Sequence, residues 1–318
     1  MIDFRYHLVS IVAIFLALAL GIILGSTTLS QSVTNGLRRQ ANSVAQTNEQ
    51  LKRQQRQLEG QLKGEQQFAD VLGSQIVADR LKGQSVVLVE TPGASNESIE
   101  KVGELAKNAG ATVTGRVTVQ KKFLDDDQTA TVDQLAAQLK PTDLELPGDA
   151  GAYAKAGAVL ASAIVTKDAA RTGREDAAGG TVLNGFREAG YVTTSGKPGQ
   201  HATLAVVIAP SAPYAYPGGD VDNKALLSVA GALDAAGRGV VLGGPAESAQ
   251  EGGLITALRD SDDDKNLSST DAVDTASGQV VAILALQNEL AGKPGQYGTG
   301  AGASGYLPSP APAAGKNG

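Results

Sequence analysis

Cysteine and tryptophan are absent from this 318-residue chain, and its one methionine is Met1. Without cysteine there can be no disulfide, no thiolate metal site and no cysteine nucleophile. Aromatic residues make up only 4% of the chain, which argues against stacking platforms for bases or sugars. The formal net charge is -6 and no block of Lys and Arg is long enough for a nucleic-acid footprint, so no nucleic-acid partner is expected. Histidine occurs twice, at His7 and His201. What remains is 42% apolar residues, enough for a real core in one or two domains.

The first feature present is an uncharged apolar run, LVSIVAIFLALALGIIL, at residues 8–24. Its length reaches the lower limit of a membrane-spanning helix, and flanking residues can extend it. Tyr6 stands where an interfacial aromatic would. A cleaved signal peptide would have a shorter apolar region ending in a small-x-small site, whereas this run passes into Leu24, Gly25, Ser26 and Thr27 without one. The run therefore reads as an uncleaved single-pass anchor over residues 8–26. Arg5 precedes it, and the next basic residues, Arg38 and Arg39, come well after it. The positive-inside bias is small but places residues 1–7 in the cytoplasm and the rest outside the cell membrane.

Residues 30–82 change character: Gln, Asn, Glu, Lys and Arg dominate and proline is absent. Leu37, Val44, Leu51 and Leu58 recur every seven residues, and Leu72 resumes that series. Leu62, Ala69 and Ile76 supply the companion position. This is the seam of a coiled-coil stalk. Asn48 and Gln55 occupy companion positions and Glu65 interrupts the first series, so the seam is weak; polar seam residues can still fix register and oligomer state. Gly60 and Gly64 each cost about 1 kcal/mol relative to alanine inside a helix. Such a helix needs membrane tethering or a partner, a homodimer being the simplest, or else it folds back on its own domain.

From residue 83 to 292 short strands alternate with amphipathic helices. SVVLVE at 85–90 is a β-branched strand. A helix follows to Asn108, capped by Asn96 or Ser98, with Ile99, Val102 and Leu105 on one face. Residues 112–119 form the next strand. Further on, LAVVIA at 204–209, a helix over 223–236 and GVVLG at 239–243 repeat the pattern. Residues 152–166 and 181–189 read as helices, and Thr275 or Ser277 caps a last helix ending near Leu290. The expected fold class is α/β: a Rossmann-like, doubly wound parallel sheet with covered faces. The Gly/Pro/Ala-rich tail, residues 293–318, is expected to be disordered.

Chemistry is sparse. The turn after the first strand, Thr91-Pro92-Gly93-Ala94-Ser95-Asn96, lacks the spaced glycines of a dinucleotide fingerprint, and no phosphate-cradling Gly-rich loop is followed by Lys and Ser/Thr. Gly243-Gly244-Pro245 reads as a tight turn. His201 alone could serve a Ser-His-Asp hydrolase outside the membrane, but no Gly-x-Ser-x-Gly elbow accompanies it, and it reads as an exposed loop residue. The acidic triplets Asp125–Asp127 and Asp262–Asp264 do not match calcium-loop spacing and read as solvated loops. Copper(I) prefers thiolate and thioether, and copper(II) imidazole; outside the membrane the chain offers a single imidazole. No catalytic residue, metal ligand or cofactor is expected, and the reading is non-enzymatic.

The N-terminal stretch FRYHLVSIVAIFLALALGIILGS with its Gln-rich heptads resembles the actinobacterial family called mycobacterial copper transport protein B (MctB). STDAVDTASGQVVAILAL and the later GQYG resemble that family's closing pattern. The resemblance implies a role in copper homeostasis or efflux, with copper implied by the resemblance alone. It also implies a link to cell division, as a membrane-anchored regulator of peptidoglycan hydrolases in cell separation. An envelope copper protein, a coiled-coil scaffold contacting another cell-wall protein, and an enzyme built on the α/β domain are the three readings to separate.

Overall fold

The computed structural model describes residues 4–146 and 150–308, with backbone alone for 26–34 and 263–264. Two compact units result, Met1–Gly64 and Glu65–Gly318. Residues 65–82, expected to be part of a stalk, belong to the second unit, where Val77 and Leu81 are fully buried.

Helix α1 runs Phe4–Val77. Its apolar span, Phe4–Gly25, has 22 residues and none of the window is buried. At about 1.5 Å per residue this matches the roughly 30 Å hydrocarbon thickness of a bilayer. Gly60 and Gly64 remain helical, and a Cβ on either would meet nothing within 4 Å outside the helix's own backbone.

In the second unit, β1 (Ser85–Glu90), α2 (Asn96–Asn108) and β2 (Thr112–Val119) form the expected first crossover. The α2 cap is Ser95, whose hydroxyl accepts from the Ser98 amide, rather than Asn96 or Ser98. Then come α3 (Thr129–Leu139), α4 (Ala152–Ile164), α5 (Ala177–Glu188) and β3 (Val192–Gly196). They are followed by β4 (Leu204–Ile208), α6 (Gly219–Ala236), β5 (Val240–Gly243) and α7 (Leu254–Arg259). The chain closes with β6 (Ser268–Thr270), α8 (Ala276–Leu290, capped by Thr275) and β7 (Gln296–Tyr297).

The strands form one sheet in the order β3-β2-β1-β4-β5-β6-β7. All neighbours are parallel except β2 and β3, so the expected parallel sheet carries one antiparallel edge strand. The tail expected to be disordered from residue 293 instead supplies β7, paired with β6, and Tyr297 is buried. Residues 309–318 of that tail lie outside the described residues.

Alternation along the central strands builds two cores. Val87, Val89, Val207 and Leu242 face α3 to α7, while Val86, Leu88, Val206 and Val241 face α2, α8 and the end of α1. Every β1 residue is buried, as strands covered on both faces must be. Gly73 lets α1 approach α8, since a Cβ there would stand 2.9 Å from Val280.

Candidate functional site

The residues singled out as a seam fall into two groups. Leu37, Val44, Leu51, Leu58 and Leu62, in the first unit, are 56–62% exposed. For leucines on a helix that is polar elsewhere, this is a continuous unpartnered stripe. Ala69 and Leu72 belong to the second unit and are half-buried there, while Ile76 is 44% exposed. Phe68 and Val71, which the heptad reading passed over, are exposed as well.

In the second unit the C-terminal ends of the parallel strands are the place to look, because doubly wound sheets bind ligands where the strand order reverses. That point lies between β1 and β4, and here the chain closes it with its own loops. The Thr91 amide and hydroxyl both donate to the Ile208 carbonyl, and the Ser211 amide donates to the Gly93 carbonyl. The Tyr214 hydroxyl donates to the Pro92 carbonyl at 2.9 Å. Beside this seal is a small hollow of about 150 Å³ lined by Lys121, Asp125, Asp126, Tyr216 and Asp222. Tyr216 donates to the Asp222 carboxylate. Burial, with Asp125 and Asp126 as like charges, raises the Asp222 pKa against the opposing effect of Tyr216 and Lys121. Burial and the Asp222 carboxylate push the Tyr216 hydroxyl up to about 12. Asp125 and Asp126 are exposed, as is Asp262 of the second triplet.

The β6–β7 end carries the densest polar construction. Arg259 and Asp271 are an ion pair at 2.8 Å with side chains 3% and 0% exposed. Asp271 also accepts from the Thr299 and Gly300 amides, and Arg259 donates to the Tyr297 and Ala301 carbonyls. Ser269 donates to Gln296, whose amide nitrogen donates to the Leu267 carbonyl. Gly298 has φ +127°, and a Cβ on it would overlap the Asp271 carboxylate. The two C-terminal motifs of the family resemblance, STDAVDTASGQ and GQYG, thus meet in one place and hold the C-terminal segment on the sheet. At the N-terminal end of β6, Glu289 accepts from the Ser268 amide at 2.8 Å, and burial raises its pKa to about 7. A Cβ on Gly244 would overlap the Ser248 hydroxyl, so the Gly243-Gly244-Pro245 segment is closely packed.

His201 corrects an expectation: it is not exposed but fully buried. The chain reverses there under the 166–176 segment, and a polar residue in a Gly/Pro-rich stretch gives no apolar pattern to reveal it. His7 is exposed on α1. Among the described residues no group of three or more His, Cys, Asp or Glu side chains is placed to hold a metal ion. The carboxylates of the hollow are hard oxygen donors, poorly matched to copper.

Comparison with known proteins agrees with the two motif-bearing ends. The family model "Copper transport outer membrane protein, MctB" matches residues 1–308. The "Copper transporter MctB" of Mycobacterium tuberculosis (strain ATCC 25618 / H37Rv) is 31% identical over 310 residues, covering 95% of this chain and 98% of that protein. The protein of the same name from Mycobacterium leprae (strain TN) is 32% identical over 319 residues, covering 96% and 98%. With its apolar first helix, its exposed heptads and its locked C-terminal segment all inside the matched region, the chain belongs to the MctB copper transport family.

Proposed function

We propose that this protein serves copper homeostasis at the cell envelope as a membrane-anchored, non-enzymatic component, with copper as cargo and not as a resident cofactor. The match to the MctB family over residues 1–308 carries the reading. The Phe4–Gly25 helix supports a single-pass anchor with its N-terminus in the cytoplasm and residues 65–308 outside. One apolar helix cannot enclose a permeation path. The sheet is open, with helices on both faces, so it presents no barrel wall to lipid either. Movement of copper would therefore run through an assembly, for which the Leu37–Leu62 stripe is the available surface. We take its occupant to be the same stripe of a second copy, giving a parallel coiled-coil homodimer whose register Asn48 and Gln55 fix.

The test is cell-associated copper in a deletion strain compared with its complemented parent. A rise that the wild-type gene reverses supports copper export; unchanged copper rejects it. A second reading rests on the same stripe: a scaffold that contacts another envelope protein and regulates peptidoglycan hydrolases in cell separation. Unchanged copper in cells that fail to separate favours that reading. An enzymatic reading has least support, since the crevice where such a sheet would hold a cofactor is sealed by Thr91, Tyr214 and Ser211.

A further inference from the structure

The hollow between the loops that leave β2 and β4 holds negative charge that the chain does not neutralise. Lys121, Asp125 and Asp126 come from the loop after β2; Tyr216 comes from the loop after β4, and Asp222 from the first turn of α6. Asp222 decides the chemistry. It is 6% exposed, and a carboxylate buried that far is ordinarily paired with a cation. Here its Oδ2 accepts from the neutral Tyr216 hydroxyl, and its Oδ1 has no partner among the described residues. Among those residues the one sealed side-chain atom without a partner is the Thr270 hydroxyl, so Oδ1 opens on the hollow that Asp222 lines. None of the described ion pairs reaches Asp125, Asp126 or Asp222. The Lys121 ammonium stands over the Tyr216 ring instead, 5.8 Å from its centre. Three carboxylates thus face one cation, and the first-turn place of Asp222 favours its ionised form through the helix dipole.

We propose that this hollow binds a primary ammonium group, the end of an alkylamine or of a lysine side chain, between the free oxygen of Asp222 and the ring of Tyr216. An ammonium has three donors and no acceptor, so it matches an unpartnered carboxylate oxygen, and its charge is attracted to the face of an aromatic ring. Lys121 carries the same group over the same ring, which shows that the ring accepts an ammonium and makes Lys121 an internal competitor. The exposed Asp125 and Asp126 add attraction at the mouth. Size limits the ligand: the hollow has about 150 Å³, room for an ammonium and a few methylenes, whereas sites for whole cofactors run to roughly 300 Å³ or more. A metal ion fits less well, because among the described residues no three His, Cys, Asp or Glu side chains converge closely enough to hold one. The site stands apart from the heptad stripe of α1 and from any movement of copper.

Calorimetric titration of the full chain in detergent micelles tests this, with butylamine and Nα-acetyl-lysinamide as probes. Equal binding of the two supports the ammonium alone as the recognised group; tighter binding of the lysine derivative supports a lysine side chain as its source. Nα,Nε-diacetyl-lysinamide, which has no charge, should not bind. Asp222→Asn keeps an acceptor for Tyr216 and should weaken the ammonium probes about tenfold, as loss of a charge-assisted hydrogen bond does. Lys121→Gln, at an exposed position, should tighten them by removing the competitor, and it carries the test if Asp222→Asn fails to fold. Asp262→Asn makes the same charge change in the exposed second triplet and should leave binding unchanged. The proposal is overturned if neither ammonium probe binds at about 10 mM, if the diacetyl probe binds as well as they do, if Lys121→Gln brings no gain, or if Asp222→Asn costs no more than Asp262→Asn.

Discussion

The two units solve the burial of leucine in opposite ways. In residues 65–308, Leu88, Leu204, Leu242 and Leu286 are fully or nearly fully buried between a sheet and its helices. In residues 4–64, Leu37, Leu51, Leu58 and the whole apolar span Phe4–Gly25 face outward. Burial of a leucine stabilises by about 1.5–3 kcal/mol, so the second unit is stable from its own contacts, whereas the first has no such burial within the chain and, on the proposed reading, takes it from lipid and a second copy. The proposed function follows that division, with the outward helix as the attachment surface and the second unit as the folded body it carries.

Breaking the sealed unit should have the largest effects. Asp271→Ala leaves Arg259 buried without its counter-charge, which costs about 3–5 kcal/mol; thermal denaturation should show the second unit melting much earlier, while the helical signal of the first unit persists. Glu289 gives the next largest effect, and its sign depends on pH. Its folded pKa of about 7 exceeds the unfolded value, so the native state benefits from the bound proton below about pH 4.5 and loses that benefit as pH rises through 7. Glu289→Gln keeps an acceptor for the Ser268 amide and no charge. It should raise stability by about 3 kcal/mol near pH 8 and leave it nearly unchanged near pH 4, read from denaturant midpoints at both values. Thr275→Ala removes the cap on the Gly278 amide and should cost about 1 kcal/mol. Paired Leu51→Gln and Leu58→Gln substitutions should shift the melting of the second unit by less than about 0.5 kcal/mol, since both side chains are exposed, yet abolish association.

The same contrast explains how much could be read from sequence. The β1 and β2 boundaries were legible because β-branched runs end at turn residues, and the N-terminal apolar helix because its apolar run is long and unbroken. β3, β6 and β7 were not. Thr193, Thr194 and Ser195 form an edge with little apolar content, and in β6 Ser268 and Ser269 are buried through side-chain hydrogen bonds instead of hydrophobic alternation. β7 stands in a Gly/Pro-rich stretch whose composition argues for disorder; its order comes from Asp271 and Arg259, distant in sequence. His201 and Glu289 were missed for the same reason, since burial of a polar side chain depends on partners that no local window contains. The heptad positions were legible, but where the exposed series ends was not: Ala69 and Leu72 are half-buried because Gly73 and Val77 dock that part of α1 on α8.

The most direct test of the division is the mass of the full chain in detergent micelles, by analytical ultracentrifugation, for wild type and for the paired Leu51→Gln and Leu58→Gln variant. Two copies for wild type and one for the variant, with both second units equally stable, is the expected result. A monomeric wild type, or a variant that stays paired, would contradict the claim that the outward leucines of the first helix are the protein's attachment surface.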